Sequence, residues 1–525
     1  MRAGAFLPWL LPAMPLVAAS LEGSKPPPSD KVGPSTLSLA ADIWSLLQEG
    51  ATCVACQGIL SLLRGIADVG DEPFVDAVQV LCVLSGTQDP DVCEGVVHRE
   101  GPTVADVLRN MEIPSDTSRT LCSTILGLCE VPPVKTQYLK FPRLRKSSGR
   151  QVPSKEKPLK IVHFSDIHVD RQYTLGPNTC GSAYIEEDAP GVTTSPAGIF
   201  GDHKCDTPVD LESSMYNAIN DLVPDVEFAI FTGDIVDHTI WNTSQHSNTR
   251  DINQAMDIMD KSMKRVYATI GNHEMSPVNL FPPNNERPDA GWLYRLLNYH
   301  WKKWVDTGAE KDIREFGCYA AKHPNTKLRI ISVNTNMYYR KNFELYRHPM
   351  GHDPNNQLKW LARQLDFAER AHDRVFIIGH MPMGDIDALQ EYSNTFDRIV
   401  NRYGDTISAL FYGHTHVDHF EIHYNDYHLR TEAGTRRHLV HCTVPHPDVG
   451  HAIVSRLTRS TPSRTPCSTW SVRRADMKPT QKLSDQRPRV EKVLLGAGGV
   501  RRGTSPPLAE GGALPGLLAQ RHRAV

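Results

Sequence analysis

Five apolar runs in the middle of the chain stop in the same way. Leu159–Phe164 runs into Ser165-Asp166-Ile167-His168, Val226–Phe231 into Gly233-Asp234, and Arg265–Ile270 into Gly271-Asn272-His273. Val375–Ile378 runs into Gly379-His380, and Ile407–Tyr412 into Gly413-His414-Thr415-His416. Short apolar runs closed by glycine read as buried strands. A sixth run, Leu328–Val333, lies among them. Stripes at three-and-four spacing fall between several runs: Met215, Ala218, Ile219 and Leu222 form one, and Leu358, Leu361, Ala362 and Leu365 another. Strands alternating with helices indicate an α/β unit whose chemistry lies at the strand carboxyl ends. One such ending is ordinary turn chemistry. Five of them restrict the fold to one that gathers five strand ends.

Imidazoles, a few carboxylates and an amide oxygen suit zinc or a similar first-row divalent ion better than calcium or magnesium. Seven candidates stand at the strand ends: Asp166, His168, Asp234, Asn272, His380, His414 and His416. They are too many for one tetrahedral ion and suit two Zn2+ sharing a bridging carboxylate. Two ions about 3.5–4 Å apart clamp a phosphoryl group and generate hydroxide near neutral pH. No serine nucleophile elbow or glycine-lysine phosphate loop competes with this reading.

The N-terminal third has a different grammar. Met1-Arg2, an apolar segment from Ala3 to Ala19 and small residues up to Ser20 describe a secretory signal peptide over 1–20. A linker over 21–38 is rich in proline, serine and lysine. From 39 to 132 the pattern is helical: Val54, Ala55, Gly58, Ile59, Leu62, Leu63 and Ile66 form one stripe. Phe74, Val78, Leu81 and Cys82 form a second, and Val104, Val107, Leu108 and Met111 a third, with Asp89-Pro90 as a helix start. Helices this short need staples, and Cys53, Cys56, Cys82, Cys93, Cys122 and Cys129 supply them. No second Cys-x-x-Cys exists to complete a four-thiolate zinc site. Spacing alone leaves all fifteen pairings open. A proline-rich basic linker follows over 133–158.

The cysteine-rich stretch resembles a saposin-type domain, and the five endings, in their order, resemble the calcineurin-like metallophosphoesterases. The combination is similar to the acid sphingomyelinases, over roughly Leu39 to Tyr427. The resemblance implies an α+β multidomain protein: a small disulfide-stapled all-α domain, then an α/β metallophosphoesterase β-sandwich flanked by helices over 159–430. It implies the bridges Cys53–Cys129, Cys56–Cys122 and Cys82–Cys93. It also implies one ion held by Asp166, His168, Asp234 and His416, and a second by Asp234, Asn272, His380 and His414. His238 and His273 match the family's histidines that face the substrate phosphate, where an imidazolium can protonate the departing alkoxide. The expected reaction is hydrolysis of sphingomyelin to ceramide and phosphocholine. The alternatives are a nucleotide or other soluble phosphoester as substrate, or a lipid-binding protein with an inactive catalytic domain. Asp237 stands where purple acid phosphatases carry a tyrosine ligand, which disfavours a ferric site.

Two further cysteines, Cys180 and Cys205, are expected to pair, whereas Cys318 lacks the partner the family places just after Gly379-His380. Asn242-Thr243-Ser244 is a glycosylation sequon. Signal, bridges and sequon together point to a secreted or lysosomal compartment. The expected partner is sphingomyelin or a related phospholipid at a membrane surface, met by a monomer without a transmembrane segment. A net charge of -3 does not favour nucleic acid. That near-neutrality hides an asymmetry: residues 431–525 hold 16 Lys and Arg against 6 Asp and Glu. Repeated Arg, Pro, Gly and Ser there read as a basic, disordered tail. The family pattern continues with strands instead, and an altered reading frame would account for the departure.

Overall fold

A computed structural model describes Ile43, residues 52–134, 139–142 and 159–424, and the stretches 438–443, 451–457, 468–472 and 490–494; within these ranges 87, 175–196, 203–204, 285, 287–288 and 418–419 are not described. The expected signal peptide and linkers, and Cys180, lie outside the described residues, apart from short pieces of the second linker.

Among the described residues of the N-terminal unit are four helices: α1 (Cys53–Val69), α2 (Asp71–Ser85), α3 (Pro90–Asn110) and α4 (Asp116–Thr124). Thr52 caps α1 by accepting from Ala55 N, and Ser115 and Ser118 form a reciprocal capping box on α4. Asp89 stands at the N-cap of α3, with Pro90 in the first turn as the sequence indicates. The three bridges Cys53–Cys129, Cys56–Cys122 and Cys82–Cys93 are all present. The inward face of α1 is rotated from the expected stripe. Val54 is 82% exposed, while Cys56, Ile59, Leu60 and Ile66 are buried. Both bridges of α1 enter from Cys53 and Cys56, and the Cys56 bridge turns that side of the helix inward.

The second unit contains β1 (Leu159–Phe164), β2 (Val169–Asp170), β3 (Thr207–Pro208), α5 (Val209–Leu222), β4 (Phe228–Phe231), α6 (Gln245–Ser262) and β5 (Val266–Ala268). It continues with α7 (Gly291–Trp301), α8 (Glu310–Phe316), β6 (Tyr319–Lys322), β7 (Leu328–Ser332), α9 (Gln357–Ala371), β8 (Arg374–Ile378), α10 (Gln390–Arg402), β9 (Ile407–Tyr412) and β10 (Phe420–Tyr424). Four more strands follow: β11 (His438–Thr443), β12 (His451–Leu457), β13 (Ser468–Val472) and β14 (Val490–Leu494).

Twelve of these strands build two six-stranded sheets, ordered β14-β13-β12-β1-β4-β5 and β10-β11-β9-β8-β7-β6, and β2 pairs with β3 in a two-stranded one. β1, β4 and β5 run parallel in the first, and β7, β8, β9 and β11 run parallel in the second. Their carboxyl ends therefore point the same way within each sheet. One apolar core contains residues of both sheets, with His163 of β1 packed edge-on against Phe411 of β9. α5 departs from its expected stripe: Tyr216 and Ile219 are buried and Leu222 is exposed.

Within 431–525 the described residues are four strands, β11 to β14. β12 pairs antiparallel with β1, and β11 lies between β9 and β10. Without them β1 and β9 would each present an open edge. Strands of five to seven residues are specified by such partners more than by their own periodicity.

Candidate metal centre

Each sequence-selected ligand sits on a loop leaving a strand, and the loops are laced together. Asp166 N donates to Gly233 O at 2.9 Å, Ile167 N to Asp234 O at 2.8 Å and Val169 N to Ile235 O at 2.9 Å, so the segment after β1 runs alongside the one after β4. Glu274 ties in the loop after β5: its carboxylate accepts from Asp234 N at 3.1 Å, and from Ile235 N and Gly271 N at 2.5 Å each.

The backbone is strained where the ligands stand. Asp166, His168, Asp234, His414 and His416 all have positive φ, between 29° and 71°. Side chains other than glycine avoid this region, and such strain clusters at functional sites. Gly413 serves a different need, since a Cβ there would collide with Ser165 Oγ and Asp166 Oδ2.

Among the described residues three groups of potential ligand atoms result; one is His168, His238 and His273, and the other two consist wholly of the selected residues. Asp166, His168, Asp234 and His416 offer atoms within 4.8 Å of one another, as do Asp234, His380 and His414. Asp234 belongs to both. Asn272 joins the second group, its Oδ1 lying 2.9 Å from His380 Nε2 and 3.0 Å from His414 Nδ1. Asp234 Oδ2 lies 3.5 Å from His168 Nε2 and 3.1 Å from His380 Nε2. The structure thus brings the seven sequence-selected residues together at one place.

Outer contacts fix the rings. His168 Nδ1 donates to Val236 O at 2.7 Å and His380 Nδ1 to Thr232 O at 2.8 Å, leaving each Nε2 to face inward. His414 is reversed: Nε2 meets Asp387 Oδ2 at 2.9 Å, and Nδ1 faces inward. Burial would raise the Asp387 carboxyl, but the bond from His414, with Arg340 and Lys341 nearby, holds it well below the usual range. Burial likewise opposes ionisation of Asp234, and His380 and His273 overcome it. Burial works against charging His380 too, and the Asp234 carboxylate outweighs it, raising the ring to about 9. Asp166 Oδ2, wholly buried, has no hydrogen-bond partner among the described residues. Buried carboxylates, inward-facing imidazole nitrogens and an orphaned oxygen fit divalent ions.

His238 and His273 flank the first group. Their ring centroids are 4.7 Å apart, and His238 lies 4.1 Å from His168. His238 is held twice by Asp206, through its backbone N and its Nδ1 at 2.7 Å each. His273 is held by Asp234 Oδ1 at its backbone N and by Asp237 O at Nδ1. Burial pushes both rings down to about 3, so the free protein carries them neutral.

Asp206 and Asp387 escape sequence reading, because each reaches its histidine across a tertiary contact. Glu274 was visible beside His273, but nothing in the run marked its role. Asp237 is no part of either group; burial and Asp206 push its carboxyl up to about 7. Asn242 is exposed on the loop after His238. Cys205 is disulfide-bonded, and Cys318 is a buried free thiol.

The sequence matches the calcineurin-like phosphoesterase family over residues 159–418, the stretch that holds every one of these ligands. Residues 159–418 are a calcineurin-like phosphoesterase domain. Curated relatives of the chain extend further than this phosphoesterase domain. Sphingomyelin phosphodiesterase B of Dictyostelium discoideum is 32% identical over 388 residues, covering 71% of this chain and 59% of that protein. The sphingomyelin phosphodiesterase of Homo sapiens is 31% identical over 395 residues, covering 71% and 60%. A cyclic GMP-AMP phosphodiesterase of Bos taurus is 33% identical over 269 residues, covering 49% and 57%. The chain spans about three fifths of the length of these relatives.

Proposed function

We propose that the chain is a zinc-dependent phosphodiesterase that hydrolyses sphingomyelin to ceramide and phosphocholine. The observation carrying this reading is the pair of ligand groups sharing Asp234, in a domain of phosphoesterase kinship. Asp166, His168, Asp234 and His416 would hold one ion, and Asp234, Asn272, His380 and His414 the other. Two divalent ions bound there supply a nucleophile near neutral pH and offset the charge of the phosphoryl group.

The chain's own residues do the rest. Asp234 fixes the spacing of the two groups. His238 and His273 present their rings at the rim, where an anionic diester would meet them. Both are neutral in the free protein, and an approaching phosphate anion favours their protonated form. Asp206 orients His238 and would stabilise its imidazolium, making it the better placed to protonate the leaving alkoxide. His273, held by Asp234 and the Asp237 carbonyl, is suited to bind a phosphate oxygen.

Lipid as substrate is supported by the helical unit and by the extent of similarity. Alignments of 388 and 395 residues to sphingomyelin phosphodiesterases cannot be contained within residues 159–418. Among the described residues no helix is long and apolar enough to cross a membrane, so the substrate would be met from the aqueous side. The reading further places residues 39–132 as a lipid-facing domain, glycosylation at Asn242, and residence in a secreted or lysosomal compartment.

Purified chain offered sphingomyelin vesicles and a soluble phosphodiester at acid pH tests this. Chelator-sensitive release of choline phosphate from the vesicles is expected. Turnover of the soluble ester alone would transfer the function to nucleotide-like substrates, and vesicle binding without turnover would make the chain a lipid-binding protein.

A further inference from the structure

A run of polar contacts leaves the centre through His414 and ends in the helical unit. His414 Nε2 meets Asp387 Oδ2 at 2.9 Å, and the other oxygen of Asp387 pairs with Arg340 Nε at 2.7 Å. Arg340 Nη1 donates to the carbonyl of Thr124 at 2.9 Å. Thr124 is the last residue of α4, where carbonyls lack partners within the helix. The join is reinforced by Tyr346, whose hydroxyl donates to Arg340 O at 2.8 Å and lies 3.0 Å from Thr124 Oγ1. Arg340 N also donates to Asp387 O at 2.9 Å. The side chains of His414, Asp387 and Arg340 are 10%, 19% and 16% exposed, so water screens these contacts weakly; the Arg340 Nε–Asp387 Oδ1 contact is an ion pair without hydrogen-bond geometry.

We propose that Asp387 and Arg340 are positioning residues that couple the His414 side of the metal centre to the seating of helix α4. A ligand histidine whose outer nitrogen donates to a carboxylate is fixed in tautomer and orientation and is a stronger donor at its inner nitrogen. Asp387 does this for His414. A guanidinium keeps its charge and can pair with a carboxylate while one of its N–H groups donates to a second group. Arg340 uses one arm on Asp387 and another on the Thr124 carbonyl, so displacement of α4 removes one of its two anchors. Coupling of this kind is reciprocal: what α4 docking does for an ion, the ion does for α4 docking. The helical unit thereby reports its own seating to the chemistry. This inference rests on the reading of Asn272, His380 and His414 as ion ligands.

The full chain is titrated with zinc against a chromophoric chelator, and amide hydrogen exchange over 116–128 is compared with and without zinc. In the wild type, zinc is expected to slow exchange in α4. Arg340→Met should weaken one of the bound ions about 10- to 100-fold, leave the other unchanged and abolish the zinc-dependent protection. Asp387→Asn should weaken the same ion. Arg340→Lys keeps a charge for Asp387 without the two-armed reach, so it should hold its zinc within a few-fold and still lose protection of α4. Zinc binding to the wild type with no change in α4 would overturn the coupling, as would wild-type affinity in Arg340→Met. If Arg340→Met does not fold, retained protection in Arg340→Lys overturns it instead. Failure of the wild type to take up zinc at all would refute the ligand reading itself.

Discussion

His163 and His380 show one kind of ring set to opposite states by its surroundings. Burial pushes His163 down to about 3, with Asp166 pulling only weakly the other way, whereas Asp234 raises His380 to about 9. For His163 the unfolded chain takes up the proton first as pH falls. Its contribution to stability is therefore fully present above about 6.5 and is lost progressively toward 3. Thermal melts at about pH 7 and pH 5 should show a smaller loss on acidification in His163→Asn than in the wild type, and equal losses would contradict the assignment. At this scale the seven candidate ligands were legible because each chemically distinctive residue followed a strand closely. Their supports were not. Asp206 lies 32 residues from His238 in sequence and Asp387 lies 27 from His414, so only folding makes them neighbours.

Among the elements, glycines at strand ends are structural requirements of the ligand loops. The loop after β9 passes so close to the loop after β1 that Gly413 has no room for a methyl group beside Ser165 and Asp166. Gly413→Ala should keep its secondary structure by circular dichroism and lose bound metal by elemental analysis; undiminished metal content would refute the steric argument. The parallel strands β1, β4, β5, β7, β8 and β9 were readable as apolar runs, since strands covered on both faces need no alternation. The antiparallel edge strand β6 was not read, nor were β11 to β14, whose pairing comes from distant partners. In the second sheet β10 reaches β9 only through β11, and in the first β1 is covered by β12. Ending the chain at residue 437 should therefore lower the melting temperature and promote aggregation through the exposed edges, measured by calorimetry and light scattering. A truncated chain as stable and monodisperse as the full one would show that these strands contribute nothing. The α1 helix was legible as a helix but not in its rotation, because the Cys56 bridge, not the apolar stripe, decides which side faces inward.

For the whole molecule, the two units meet beside the chemistry. Gly95 of α3 lies against Trp241, where a Cβ would strike the tryptophan backbone, and Arg99 donates to Thr243 O at 2.7 Å. Val92 and Val96 of α3 share a small apolar cluster with Ile240, Trp241 and Val278. This contact falls just past His238 in sequence, so docking of the helical unit supports the loop that carries a rim histidine. Asp234 is common to the two groups formed by the selected residues, and the proposed centre depends on it. Elemental analysis of purified wild-type, Asp166→Ala and Asp234→Ala protein, each confirmed folded, examines that dependence directly. Two zinc ions per chain are expected for the wild type, one for Asp166→Ala and none for Asp234→Ala. An Asp234→Ala protein that retains both ions would contradict the shared-carboxylate centre on which the proposed chemistry stands.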